Sequence, residues 1–368
     1  MSDTYGQAVT LTVFGESHGP AVGATLTGLP GGVPVDEAEI ARQMDKRRAK
    51  GGISTKRHEP DVVHFVAGVY RGRTTGTALT LLIENTNTRS ADYEKTAQLA
   101  RPGHADYTAR VQAGGYNDPR GGGHTSGRLT APLVAAGALC MQMLAGKGVR
   151  VGTHLAVCAG VPDAPLPAEE AALAQALAAL DRLDFPALDA EKGAAMQAAI
   201  AAAAAEGDSV GGVLETAVTG LPAGLGEPFF GSVESRLAAL MFSIPAVKGV
   251  EFGGGFGLAA LRGSEANDPF CIRAGRVATA TNHNGGVNGG ITNGMPVVFR
   301  TAVKPTPSIY KPQYTVDLAA MTEAGLQIAG RHDPCIAHRA RAVQDALTAF
   351  GLVDLLAQRW GKQWQEVF

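Results

Sequence analysis

Residues 126–146, SGRLTAPLVAAGALCMQMLAG, constrain this chain most, because the helix they predict is apolar on almost every face. A surface helix keeps a polar stripe; one that is apolar all round must be buried between layers. Its longest apolar run, residues 131–144, contains Gln142 and is too short to span a bilayer. Strands must therefore supply the covering layers. Alternating residues predict them at 9–14 and 21–27 around the turn GESHGP, and at 62–70 and 77–84 around RGRTTG. Further strands are expected at 149–157, 212–219 and 297–303. Helices are expected at 37–48, with Asp36 as cap, at 232–241 and at 338–358. An Ala-rich stretch at about 165–207, broken by Asp184-Phe185-Pro186 and stopped at Gly207, reads as two helices at the periphery. No linker of low complexity divides residues 1–368. The expected fold is a single large α+β domain, with antiparallel sheets packed around buried helices.

Composition narrows the function. With 18% charged and 45% hydrophobic residues the chain is globular, and its net charge of −2 gives no bulk attraction to nucleic acid or membrane. Aromatics at 6% are too few for a base-stacking platform. Cys140, Cys158, Cys271 and Cys335 form no CxxC pair. Without an apolar N-terminal signal segment they read as reduced thiols of a cytoplasmic protein.

Against that balanced background, residues 101–128 stand out. RPGHADYTARVQAGGYNDPRGGGHTSGR holds four arginines, two histidines and seven glycines, with Asp106 and Asp118 its only carboxylates. Glycines let backbone N–H groups turn toward a ligand, and guanidinium groups grip phosphate or carboxylate in pairs of hydrogen bonds. Histidines among cations are hard to protonate, which suits proton transfer near neutral pH. The loop runs directly into the buried helix, so an anion site at a helix N-terminus is expected. A second basic segment, residues 42–57, carries Arg42, Lys46, Arg47, Arg48, Lys50, Lys56 and Arg57 against Asp45 alone. Gly51 and Gly52 within it suggest a flap over an anion; a solvated charged face is the alternative.

Other chemistry finds less support. No HExxH or clustered Cys/His spacing is present, so no metal is expected, and GGGHTSGR lacks the ending of a P-loop. No GxGxxG follows a strand with the downstream acid of a dinucleotide fold. His18 sits in an open turn, His104 lies two residues before Asp106, and Asp333 follows Arg331 and His332, whose positive charges can hold it ionised as a base. Lys304-Pro305-Thr306-Pro307-Ser308 is a stiff loop offering a cation and two hydroxyls.

Taken together, FGESHG at 14–19, RPGHADYT at 101–108, RGGGHTSGR at 120–128, MFSIPAVKGVEFG at 241–253, TNHNGG at 281–286, KPTPS at 304–308 and GRHDPC at 330–335 resemble the chorismate synthase family, in its order and over nearly the whole chain. The resemblance implies a shikimate-pathway lyase of aromatic amino acid biosynthesis. It would convert 5-enolpyruvylshikimate 3-phosphate to chorismate and phosphate by 1,4-anti elimination, using reduced FMN without net redox change. It implies a homotetramer of β-α-β sandwich subunits with a helical layer between antiparallel sheets. By similarity His18 and His104 are the catalytic histidines, and Asp333 deprotonates flavin N5. Ser17, Arg47, Arg48, Arg101, Arg128 and Arg331 match anion-binding positions. His124, Thr125, Ser126, Pro245, Ala246, Gly289 and Lys304 to Ser308, with Arg47 and Arg331, match cofactor positions. The chain departs from the family's pattern in three places. His124-Thr125-Ser126 stands where relatives carry Arg-Ser-Ser, and Pro245 stands where an amide is commoner. GGISTKR is short and leaves only Arg47 for an NADPH contact. No appended reductase domain is visible, so reduced flavin is expected from outside, as from a separate reductase. A flavin- or nucleotide-binding protein without catalysis is the alternative.

Overall fold

The computed structural model describes residues 3–55, 60–86, 98–328 and 332–367. Two five-stranded sheets frame it, and every pairing within them is antiparallel. The first contains β1 (Thr4–Gly6), β2 (Thr10–Gly15), β3 (Ala21–Thr27), β4 (His64–Ala67) and β5 (Leu79–Glu84), in the order β1-β2-β3-β5-β4. The second contains β6 (Arg150–Cys158), β7 (Val161–Pro162), β8 (Gly212–Thr219), β9 (Val247–Phe252) and β10 (Val297–Val303), in the order β7-β6-β8-β10-β9. Alternation decides which way each strand faces: Leu79, Leu81 and Ile83 of β5 are buried on one side, as the period of two requires.

The helices named in chain order are α1 (Glu37–Arg47), α2 (Asp106–Gln112), α3 (Thr130–Ala145), α4 (Glu170–Leu180), α5 (Ala190–Ala205), α6 (Val233–Ser243) and α7 (Ala337–Trp360). Asp36 caps α1, accepting from the Glu39 N–H at 3.0 Å. The apolar run becomes α3, which packs on β3 and β5 and against α7, while α7 packs on β6 and β8. Gly137 lets α3 and α7 approach closely, since a Cβ there would overlap Ala346. By length and hydropathy residues Gly127–Ala145 could cross a bilayer, but 78% burial inside the protein makes this a core helix. Twenty of the twenty-one residues from Ala337 to Ala357 in α7 are buried, Arg339 alone being only partly covered. Its buried Asp354 accepts from the N–H groups of Gln7, Ala8 and Val9 at 3.1, 2.8 and 3.0 Å, which ties the β1–β2 turn to the helix.

The Ala-rich stretch forms α4 and α5 with the expected break. Leu173, Leu177 and Leu180 of α4 make a small cluster with Ala217 of β8, separate from the main core. Each buried leucine there stabilises by about 1.5–3 kcal/mol. Met196 and Ile200 of α5 join the main core. Cys158 and Cys335 are buried thiols with sulfurs 3.7 Å apart.

Candidate active site

The loop between β5 and α3 reaches its final shape through three consecutive glycines. Gly121, Gly122 and Gly123 have φ of 60, 91 and 53°, a left-handed run that other residues enter only at a cost. The turn brings the main chain against the first sheet. A Cβ on Gly121 would lie 2.7 Å from the His18 ring and 2.9 Å from Ser17 Oγ, and the Ser17 N–H donates to Gly123 O at 3.1 Å. The loop then enters α3, with Ser126 Oγ accepting from the Arg128 N–H at 3.3 Å.

This loop, the C-terminal end of α1, the residues after α6, the KPTPS segment and the start of α7 enclose a cavity of about 840 Å³. Arg47, Arg101, Arg128, Lys304 and Arg339 line it, with His104, His124 and His332, against the carboxylates Asp3 and Asp333. Leu11, Val13, Leu133, Leu240, Val343 and Leu347 supply an apolar floor. Fixed cations over an apolar floor suit a ligand that is both planar and anionic.

Each cation is held by a protein partner. Arg101 gives three hydrogen bonds to Asp106, from its N–H, Nε and Nη2 at 2.9, 2.8 and 2.7 Å. Burial opposes ionisation of Asp106, but those bonds and the guanidinium charge hold its carboxyl below the usual range. Lys304 Nζ donates to Gly103 O at 2.6 Å. Arg47 and Arg128 share the buried Asp61.

His104 Nε2 lies 3.0 Å from Ser308 Oγ, joining the glycine-rich loop to KPTPS. Burial first, and then the Arg101 guanidinium with His332 and Lys304, push its pKa from 6.5 down to about 4, against the opposing pull of Asp106. The ring is therefore neutral at neutral pH, as the surrounding cations led one to expect. Asp333 accepts from the Thr55 N–H at 2.9 Å and from Arg339 Nη1 at 2.5 Å. Arg339 Nε also donates to Arg47 O at 2.7 Å, so one side chain ties the Asp333 segment to the end of α1. His124 Nδ1 donates to Gly15 O at 2.8 Å, and its Nε2 lies 3.2 Å from Asp3.

Of the residues expected at a site, Arg47, Arg101, His104, His124, Thr125, Ser126, Arg128, Pro245, Ala246, Lys304, Thr306, Pro307, Ser308 and Asp333 line this cavity. Ala246 does so at φ 74°, with its carbonyl accepting from the Lys304 N–H at 3.0 Å. His18 and Ser17 are buried behind Gly121 rather than on the lining. Arg48 is not part of the lining: it pairs with Asp45 at 3.4 Å and donates to Pro60 O, because the chain leaves the helix at this residue and turns its side chain away from Arg47. Gly289 lies apart, in the hairpin of Val287–Asn288 and Ile291–Thr292, and Pro305 is off the lining between Lys304 and Thr306. Arg331, Lys56 and Arg57 lie outside the described residues. Sequence reasoning missed Arg339, Thr130 and Asp61. No motif flags the first two, and Asp61 reads as an ordinary turn residue after Pro60.

The fold and cavity define an α+β enzyme built to hold an anionic, partly planar ligand beside a neutral histidine and a carboxylate. Comparison with known proteins makes this specific. Residues 9–357 match the family model described as chorismate synthase. Similar proteins include the chorismate synthase of Pyrococcus abyssi, 46% identical over 96% of this chain and 97% of that one. That of Thermococcus gammatolerans is 47% identical, over 98% and 99%. A crystal structure of chorismate synthase superposes with a TM-score of 0.75 at 27% identity, covering 98% of this chain and 95% of the other. The chain belongs to the chorismate synthase family. Its activity is that of a shikimate-pathway lyase, which converts 5-enolpyruvylshikimate 3-phosphate to chorismate and phosphate in aromatic amino acid biosynthesis.

Proposed function

We propose that the reaction takes place in the 840 Å³ cavity with reduced FMN as cofactor, and that His104 and Asp333 move the protons. The observation that carries this reading is the meeting of His104, Asp333 and five fixed cations on one partly apolar surface. The substrate brings a phosphate and two carboxylates and the flavin a further phosphate, so a surplus of cations is what the ligands require. Those flavin positions that line the cavity fit such a group. The Thr306 hydroxyl on the lining is buried and has no hydrogen-bond partner among the described residues, and Pro245 and Ala246 present an apolar edge. When bound, reduced flavin supplies an electron-rich ring that assists departure of phosphate in the 1,4-anti elimination, without net redox change.

The protein positions charge and handles protons. His104, neutral in the free enzyme, faces Arg101 and Lys304, where a phosphate would dock. An arriving dianion offsets those cations and raises the His104 pKa, so the ring can take a proton and return it to the leaving phosphate. Asp333 is fixed by Thr55 and Arg339 with its carboxylate on the cavity, placed to accept a proton. His18, the second candidate histidine, stands behind Gly121, which separates it from the lining.

The packing of α3 on the first sheet and α7 on the second supports a β-α-β sandwich. A homotetramer, a cytoplasmic location and supply of reduced flavin by a separate reductase complete the proposal. The test is anaerobic turnover with chemically reduced FMN, following chorismate and phosphate in wild type, His18→Ala, His104→Ala and Asp333→Ala. Full activity in the variants would remove the proton-transfer roles. Binding of reduced FMN without chorismate formation by wild type would leave a flavin-binding protein.

A further inference from the structure

We infer that Asp61 is a positioning residue for the reaction: its buried carboxylate sets Arg47 and Arg128 as a matched pair of anion donors on the cavity wall. The inference rests on the reading of those two arginines as partners of substrate or cofactor anions.

Asp61 is 4% exposed, and each of its oxygens takes one guanidinium, Arg47 Nη1 on Oδ2 at 3.1 Å and Arg128 Nη1 on Oδ1. Two further N–H groups of each arginine are fixed from other directions. Arg47 gives Nε to Thr130 Oγ1 at 2.9 Å and Nη2 to Gly127 O at 3.0 Å. Arg128 gives Nε to Asn85 Oδ1 at 2.8 Å and Nη2 to Glu84 O at 3.2 Å. Both guanidinium groups are nearly buried yet belong to residues that line the cavity.

Two buried cations side by side repel, and burial penalises both. The shared carboxylate offsets that repulsion and fixes the spacing of the two groups. Asp61 holds a left-handed backbone, φ 45°, which aspartate tolerates better than most residues. Arg48, next to Arg47, grips the preceding carbonyl of Pro60. The end of α1 thus holds the main chain at Pro60 with one arginine and uses the carboxylate that follows to aim the other.

The test uses the full chain with reduced FMN, comparing Asp61→Asn, Asp61→Glu, Arg47→Ala and Arg128→Ala with wild type. Asp61→Asn keeps the shape and removes the charge, so anions are drawn in at least as strongly but are no longer aligned. The expected result is a fall in kcat per bound flavin of about ten- to a hundredfold, with KM for the shikimate phosphate unchanged or lower. Inorganic phosphate should inhibit this variant more strongly than wild type, and Asp61→Glu should restore the wild-type phosphate inhibition. A carboxylate that served folding alone would lower the melting temperature and leave kcat per bound flavin and phosphate inhibition unchanged, and that result overturns the inference. So does Asp61→Asn with kcat and KM within about twofold of wild type while Arg47→Ala and Arg128→Ala lose activity. If Arg47→Ala and Arg128→Ala leave substrate KM and FMN binding as in wild type, the reading of the arginines themselves fails, and the inference with it. Should Asp61→Asn not fold, Asp61→Glu carries the test, because it keeps the charge and moves it by one methylene against both guanidinium groups. A fall in kcat of about threefold or more without a rise in KM sustains the inference, and unchanged kinetics overturn it.

Discussion

Two basic segments of this chain look alike in sequence and end in different roles. Residues 101–128 deliver Arg101, His104 and Arg128 to one cavity. Residues 42–57 split. Arg47 joins the cavity, whereas Arg42, Lys46 and Lys50 turn to the opposite side and pair with carboxylates near the Ala-rich helices. Arg42 reaches Asp181 at 2.6 Å and Glu39 at 2.7 Å, buried Lys46 meets Asp181, and Lys50 meets Asp184 at 2.6 Å. Helical geometry explains the division. Arg42 and Lys46 are four residues apart on α1 and share a face, while Arg47 points elsewhere, and Lys50 follows beyond the helix end. Most of the expected flap over an anion is therefore a clamp holding α1 to the α4–α5 break. A cation's role is decided by the carboxylates it meets, and Asp181 and Asp184 lie more than a hundred residues away in the chain.

The comparison can be broken most sharply at the groups proposed to move protons. His104→Ala and Asp333→Ala should each lower kcat by about a hundredfold or more, read by anaerobic turnover. Equal losses in Lys46→Met would erase the distinction between the two segments. Next in size, Arg101→Ala removes a cavity cation and frees Asp106, so KM for the substrate should rise by about tenfold or more. Lys46→Met should instead leave KM alone and cost about 1–3 kcal/mol in denaturant unfolding, because Asp181 loses its buried partner.

A smaller effect concerns pH. The folded His104 pKa, about 4, lies below the ordinary 6.5, so as pH falls the unfolded chain binds this proton first. The stability tied to the neutral ring is complete above about 6.5 and lost progressively down to about 4. Arg101, Lys304 and His332 favour the neutral ring and Asp106 opposes them, so His104→Gln should flatten this part of the profile by about 1–3 kcal/mol. Parallel profiles for the variant and wild type, from urea unfolding at pH 7.5, 5.5 and 4.5, would contradict it. The smallest change is expected for Arg42→Ala, whose partly exposed pairs should contribute under about 1 kcal/mol, with kcat unchanged.

Much of this was legible along the chain. The strands at 21–27, 212–219 and 297–303 fall where alternation puts them, because the period of two is a local property of a half-buried strand. Asp36 and Gly207 bound their helices as expected, since caps act over one turn. The cavity was legible in part. The dense Arg/His/Gly loop announces itself, but Asp61 and Arg339 carry no local signal, being single residues whose meaning lies in a distant partner. Arg48 illustrates the converse. Its neighbour enters the site, and one step along the chain at the helix end sends Arg48 to Pro60 instead.

The sequence by itself determined the class of fold, the buried helix and the family, because these rest on periodicity and on motifs contiguous in the chain. The tertiary structure alone decided which cations face the cavity, which carboxylates hold them, and that His18 stands behind Gly121 while His104 faces Ser308. The physical reason is range. Periodicity and capping act within a few residues, whereas a charge is assigned by whatever the folded chain brings within about 4 Å of it.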